Sequence, residues 1–214
     1  RNFVGPSGKI YVGSKQGYAK KGDTSPYPGG YVMTYDPATG ACENLGMPLA
    51  GQGVIDVVAD EARGLLYVVS CEEQHWLLYD VKSKKYRELG PMLTPYAATL
   101  VDAAGRAHAI TKDFKLATYD PAENTVTERD IAVDGEIWKR ANGSAIPTWQ
   151  LAGDGFTAYL VLMNDARLIQ IDLRGPAGAK RLGTMVKGEH PDSRSALTIA
   201  PDGRVYALIR VNNK

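Results

Sequence analysis

Apolar residues along this chain come in short runs broken by Gly, Asp, Asn and Pro, and no long window carries the spacing of an amphipathic helix. The pattern is clearest over residues 54–90, VIDVVADEARGLLYVVSCEEQHWLLYDVKSKKYRELG. It predicts four strands, VIDVVA, LLYVVS, WLLYDV and KYRELG, with turns at 60–64, 71–75 and 82–85. Val, Leu and Tyr fill the first three, as expected of a sheet covered on both faces. The fourth is polar and alternating, as an outer strand should be. A single meander of this size cannot bury its own faces, so it needs neighbours of the same kind.

The chain supplies them. A Gly turn leading into an apolar strand recurs as SGKIYVGS, ARGLLYVVS, AGRAHAIT, GDGFTAYLVL and PDGRVYALI. The turn glycines Gly8, Gly64, Gly105, Gly155 and Gly203 stand 56, 41, 50 and 48 residues apart. A third strand ending in Asp recurs as MTYDPATG, LLYDVKSK, ATYDPAEN and IQIDLRGP, with Asp36, Asp80, Asp120 and Asp172 spaced by 44, 40 and 52. Asp in such a turn bonds the backbone ahead of it, and a following Pro fixes φ. Glycine-to-Asp distances are 16, 15 and 17 in three copies and 28 in the first, where the loop SKQGYAKKGDTSPYPGG intervenes. The repeats so defined are 2–47 (nearly whole), 54–92, 97–131 and 149–185 (whole) and 195–210 (first two strands). Four strands recurring about every 40–50 residues predict an all-β chain forming one β-propeller region of about four and a half four-stranded antiparallel blades. A β-sandwich would not repeat one turn grammar in this way.

PDGRVYAL and YDPATGACENLG resemble blades of the broad propeller superfamily that includes YVTN, NHL-like, Kelch-like and lyase-type propellers. A WD dipeptide is lacking, and a Kelch-type double glycine occurs once, at Gly29–Gly30 inside the insertion. Because the fifth repeat lacks its outer strands, the chain is expected to be part of a larger propeller of six to eight blades, completed by another segment or chain. In propellers, the loops from strand two to three and from strand four to the next strand one share the channel face. Here that face is expected to gather the irregular segments 14–30, MPLAGQG, SCEEQH, GPMLTPY, 131–150 and VKGEHPDSRS, leaving the tight turns on the other.

Composition narrows the partners. A formal charge of +1 gives no reason to expect a nucleic acid, and no apolar run is long enough for a membrane helix. Cys42 and Cys71, an outer-strand and a loop position, are too few for a disulfide scaffold and are expected to stay unpaired. The chain starts at Arg1 and stops within a strand pattern, so no targeting segment or compartment can be read from it.

Candidate chemistry lies on the loop-rich face. Glu72, Glu73 and His75 beside Cys71 suit a metal or acid–base site, although a solvated charged hairpin has the same composition. His190 and Arg194 in GEHPDSR form a second polar cluster in a Pro-bearing turn. Trp138, Lys139 and Arg140 combine an aromatic anchor with cations, as do Tyr18 and Tyr27 with the insertion's lysines. Both sets suit a protein or sugar surface, or pack their own loops down. His108, standing where other repeats carry Tyr, reads as a core residue. No nucleophile elbow, Walker loop, Rossmann fingerprint, haem motif or zinc pair is present. Two functions fit: a binding or scaffolding module that holds a protein or glycan with no cofactor, or a carbohydrate-directed lyase, lactonase or hydrolase with a polar or divalent-metal site.

Overall fold

In the computed structural model of the chain, residues 2–16, 22, 26–139, 147–162, 167–176, 178–187 and 192–210 are described. The chain divides into two compact units, Arg1–Thr99 and Leu100–Lys214. Its described elements are all strands, and none of the described residues forms a helix long and apolar enough to cross a membrane.

The first unit holds two four-stranded antiparallel meanders. One contains β1 (Asn2–Val4), β2 (Ile10–Gly13), β3 (Val32–Asp36) and β4 (Ala41–Asn44); the other β5 (Val54–Asp60), β6 (Leu65–Ser70), β7 (His75–Asp80) and β8 (Lys85–Met92). The first repeat thus has all four strands, one more than its turn grammar alone suggests. Alternation puts Tyr11 and Val32 on one face of the first sheet, where they pack with Val57, Leu66, Val68 and Tyr79 of the second in one buried cluster. The other face of the second sheet is also closed, with Tyr67 and Val69 fully buried and Trp76 and Leu78 nearly so. The indole of Trp76 donates to Thr99 Oγ1 at 3.1 Å, and the Thr99 amide donates to buried Asp56 at 2.9 Å.

In the second unit, β9 (Leu100–Val101), β10 (Ala107–Ile110), β11 (Lys115–Asp120) and β12 (Thr125–Asp130) form a third meander. Residues 131–150 are not wholly a loop. They carry a hairpin, β13 (Ala132–Val133) and β14 (Glu136–Ile137), joined by Asp134–Gly135 with φ of 52° and 87°. Positive φ at both positions is the two-residue turn that Asp-Gly favours. A fourth meander follows: β15 (Pro147–Leu151), β16 (Thr157–Leu162), β17 (Arg167–Asp172) and β18 (Gly178–Thr184). β13 pairs in parallel with β18, which widens that sheet to six strands. The last two strands, β19 (Asp192–Ile199) and β20 (Val205–Arg210), form a two-stranded sheet. The units are built of β-propeller blades.

Local chemistry fixes these blades. The five turn glycines, Gly8, Gly64, Gly105, Gly155 and Gly203, all have positive φ, from 66° to 84°, where a side chain would strain the hairpin. The Asp carboxylates closing the third strands cap their own turns: Asp36 accepts the Ala38 amide, Asp80 that of Ser83, Asp120 that of Ala122 and Asp172 that of Arg174, at 2.7–2.9 Å.

Candidate functional site

In a meander, the β2–β3 and β6–β7 connections and the β4–β5 segment emerge at one end, and in the first unit these segments are laced together. The Gly30 amide donates to the Gln52 carbonyl at 2.7 Å, Val54 to Ser14 at 2.9 Å, Cys71 to Gly53 at 2.8 Å, and Leu93 to Gln74 at 3.0 Å. Side chains add to the lacing: Glu72 accepts the Gly53 amide at 2.6 Å, Gln52 that of Glu73 and Gln74 that of Tyr96, both at 3.0 Å. Gly53 has a physical reason to be glycine, since a Cβ there would stand 2.7 Å from that of Lys15.

Glu72, Glu73 and His75 share the 71–75 loop, and all three side chains are engaged in building it. Glu72 is a staple on the neighbouring backbone. His75 lies between carboxylates, with Nε2 2.9 Å from Glu73 and Nδ1 3.1 Å from Glu88. Hydrogen bonding to Glu73 foremost, then to Glu88, raises its pKa against the opposing effect of burial. An imidazole whose two nitrogens both face carboxylates donates to both when protonated, and in that form offers no lone pair to a metal. Among the described residues, no three His, Cys, Asp or Glu side chains are placed to hold a metal ion.

Residues outside that motif complete the surface. Lys15 Nζ is 3.3 Å from Cys71 Sγ, and this contact raises the pKa of the exposed ammonium. Tyr27 accepts the Gln16 amide at 3.0 Å through its hydroxyl, and burial raises its pKa. Tyr96 is 47% exposed, with a positive φ of 57°. Lys15 lies within electrostatic reach of Cys71, Glu72 and Tyr96, and Tyr27 within reach of Glu72, Cys71 and Lys15. Sequence reasoning passed over Lys15 and Tyr96, whose only local signal is their place in irregular segments.

In the second unit, Trp138 packs edge-on against buried Phe114 at 4.7 Å, its amide donating to Ile131, while Lys139 is exposed. His108 is fully buried, as its place in the repeat suggests. Tyr18, Arg140 and His190 lie outside the described residues, as does the side chain of Arg194 in β19. Cys42 and Cys71 are both free.

Solved structures share the architecture. A periplasmic gluconolactonase of Pseudomonas aeruginosa superposes with a TM-score of 0.64 at 19% identity, over 98% of this chain and 64% of its own. A hydrazine synthase of Kuenenia stuttgartiensis gives 0.64 at 12% identity, over 96% and 54%. An auxiliary nutrient binding protein of Bacteroides thetaiotaomicron gives 0.58 at 12%, over 93% and 53%. This chain thus spans between half and two thirds of these structures. No protein-family model and no curated protein matches it.

Proposed function

We propose that this chain, built of β-propeller blades, is a binding module that holds a polyhydroxylated ligand, such as a glycan, on the loop end of its first unit. One observation carries the reading. Several separate segments are locked by backbone hydrogen bonds into a surface that bears two phenols, an ammonium and carboxylates. Phenol faces stack on sugar C–H groups, and the mixed donors and acceptors match hydroxyls. A surface assembled before the ligand arrives loses little entropy on binding. Both ring nitrogens of His75 are turned to Glu73 and Glu88, so His75 is not placed as a base for Cys71.

A glycan array followed by titration calorimetry tests this. A bound glycan should lose about fivefold or more in affinity with Lys15→Ala or Tyr96→Ala, since anchors of this kind are each worth over about 1 kcal/mol. A chain that binds no glycan, or whose binding ignores both substitutions, sinks the reading. The enzymatic alternative, opening of a lactone, draws on fold likeness to the gluconolactonase alone. Turnover of a lactone that is lost in His75→Ala would establish it instead.

A further inference from the structure

We infer that the open face of the β1–β4 sheet is a docking surface for a further four-stranded blade of the same repeat series, lying outside these 214 residues. Strand register places Val4, Ile10, Tyr35 and Cys42 in one row across this sheet, with Val12 and Met33 in the next row on the same face. The face is apolar and open: Val4 is 61% exposed, Tyr35 40% and Met33 38%, and Cys42 is exposed as well.

The second sheet shows what this face is for. Counting from the turn glycines Gly8 and Gly64, Ile10 and Val12 correspond to Leu66 and Val68. Counting back from Asp36 and Asp80, Met33 and Tyr35 correspond to Leu77 and Tyr79. Those four counterparts are 0–3% exposed, because the first sheet lays Tyr11 and Val32 over them. The same positions that one sheet buries against its predecessor are therefore left bare in the other. What fits them is a sheet presenting an aromatic and aliphatic face like that of Phe3, Tyr11 and Val32. Contiguous apolar surface of this kind marks an interface rather than a solvated face.

An independent observation in the second unit concerns the opposite kind of face. Tyr206 of β20 stands at the position of Tyr11 relative to its turn glycine, yet is 53% exposed where Tyr11 is 7%. Leu208, on the same side of the strand, is 62% exposed, and its two-stranded sheet ends at β20. A covering face and a covered face of the repeat series are thus both left open. The similar solved structures, of which this chain spans 53–64%, contain further structure of their own.

Light scattering of the purified 214-residue chain, with a hydrophobic dye, is the first test. Open faces predict dye binding and concentration-dependent, polydisperse association, both reduced by Tyr35→Lys with Met33→Lys. These side chains already face solvent, so the substitutions leave the core untouched. A monodisperse 23.1 kDa monomer that leaves the dye dark overturns the proposal. A discrete dimer abolished by the same substitutions also overturns it, assigning the face to a second copy. The second test does not need the variants. Cys42 corresponds to Tyr86, which packs against the buried cluster. In a longer polypeptide carrying these residues, Cys42 should alkylate about tenfold more slowly than in the 214-residue chain, as thiol reactivity follows access. Equal rates would show the face uncovered.

Discussion

Asp102 Oδ2 stands 3.0 Å from Nε2 of His108, and neither side chain reaches solvent. Thr118 Oγ1 lies 3.0 Å from the other ring nitrogen, and Arg106 bonds the same Asp102 oxygen at 2.8–2.9 Å. A neutral imidazole that donates to Asp102 and accepts from Thr118 satisfies every group while the guanidinium balances the carboxylate. Burial first, with Arg106 and Arg129 nearby, lowers the His108 pKa below its ordinary 6.5. Burial alone would raise Asp102, but hydrogen bonds from His108 and Arg106 outweigh it and bring the carboxyl down to about 2.

Both shifts act in one direction. The folded chain resists protonation at each site, so the stability they contribute is complete above pH 6.5. It falls as pH drops below 6.5, where the unfolded imidazole charges first, and again from 3.8 towards 2, where the unfolded carboxyl protonates first. Asp102→Asn should cost roughly 3 kcal/mol, since it leaves a buried network with one partner wrong. It should also flatten the lower limb of the pH profile. Urea midpoints across the acid range measure both effects, and an unchanged midpoint in the variant would refute this account.

His75 should behave in the opposite sense. Bonds to Glu73 and Glu88 favour its protonated form, so its folded pKa lies above 6.5. Its contribution to the 71–75 loop is complete below pH 6.5 and fades as pH rises through the folded value. NMR titration of the imidazole should give a midpoint above 6.5. Glu73→Gln and Glu88→Gln should each bring that midpoint down, by removing a carboxylate partner. A wild-type midpoint at or below 6.5 would contradict the arrangement.

What could be read from the sequence is what local chemistry decides. Turn glycines and turn aspartates are set by backbone geometry within a few residues, and they located the blades without any long-range information. The Asp134–Gly135 hairpin carried a local signal too, but its strands are two residues long. That is too short for alternation to show, and the parallel pairing of β13 with β18 depends on a segment 46 residues on, counted from Ala132 to Gly178. At the candidate site, CEEQH was legible as an irregular charged loop. That Glu72 would be consumed by the Gly53 amide was not, because the contact follows from how two blades meet. Glu88 reaches His75 through the β7–β8 register, in which it faces Leu77 beyond a bulge. Trp138 in the sequence suits packing its own loop down more readily than anchoring a ligand, and in the structure its ring lies edge-on against Phe114.

One turn position invites stabilisation. Gly40, Lys84 and Asn124 each stand four residues after a strand-ending Asp and have φ of 71°, 56° and 52°. Glycine is at ease there and asparagine tolerates it, but lysine pays for its Cβ with about 1 kcal/mol of strain. Lys84 is exposed, and its amide bonds the Asp80 carbonyl at 2.8 Å whatever side chain it carries. Lys84→Gly should therefore raise stability by roughly 0.5–1 kcal/mol, read as a higher denaturant midpoint at unchanged slope. A lower midpoint would show that the side chain has a role the turn geometry does not reveal.

Gly30 is the most exacting test of the loop surface. A Cβ there would collide with the Ser14 carbonyl oxygen, which already accepts the Val54 amide, and would stand 2.9 Å from the Val54 nitrogen. Both are backbone atoms held by the lacing that joins the β2–β3 connection to the β4–β5 segment, so neither can yield without parting the loops. Gly53 is crowded less severely: its added Cβ would stand 2.7 Å from Lys15 Cβ and 3.3 Å from Lys15 Cα and Cys71 Cβ, so the Lys15 backbone would have to shift. Gly30→Ala should cost roughly 2–3 kcal/mol as overpacking against rigid neighbours, and should remove ligand binding along with the surface. Gly53→Ala should cost less, moving the Lys15 backbone and drawing its ammonium away from Cys71. Thermal melts and calorimetry on the two variants separate these outcomes. A Gly30→Ala chain as stable as the parent would mean that the three loops do not form one surface.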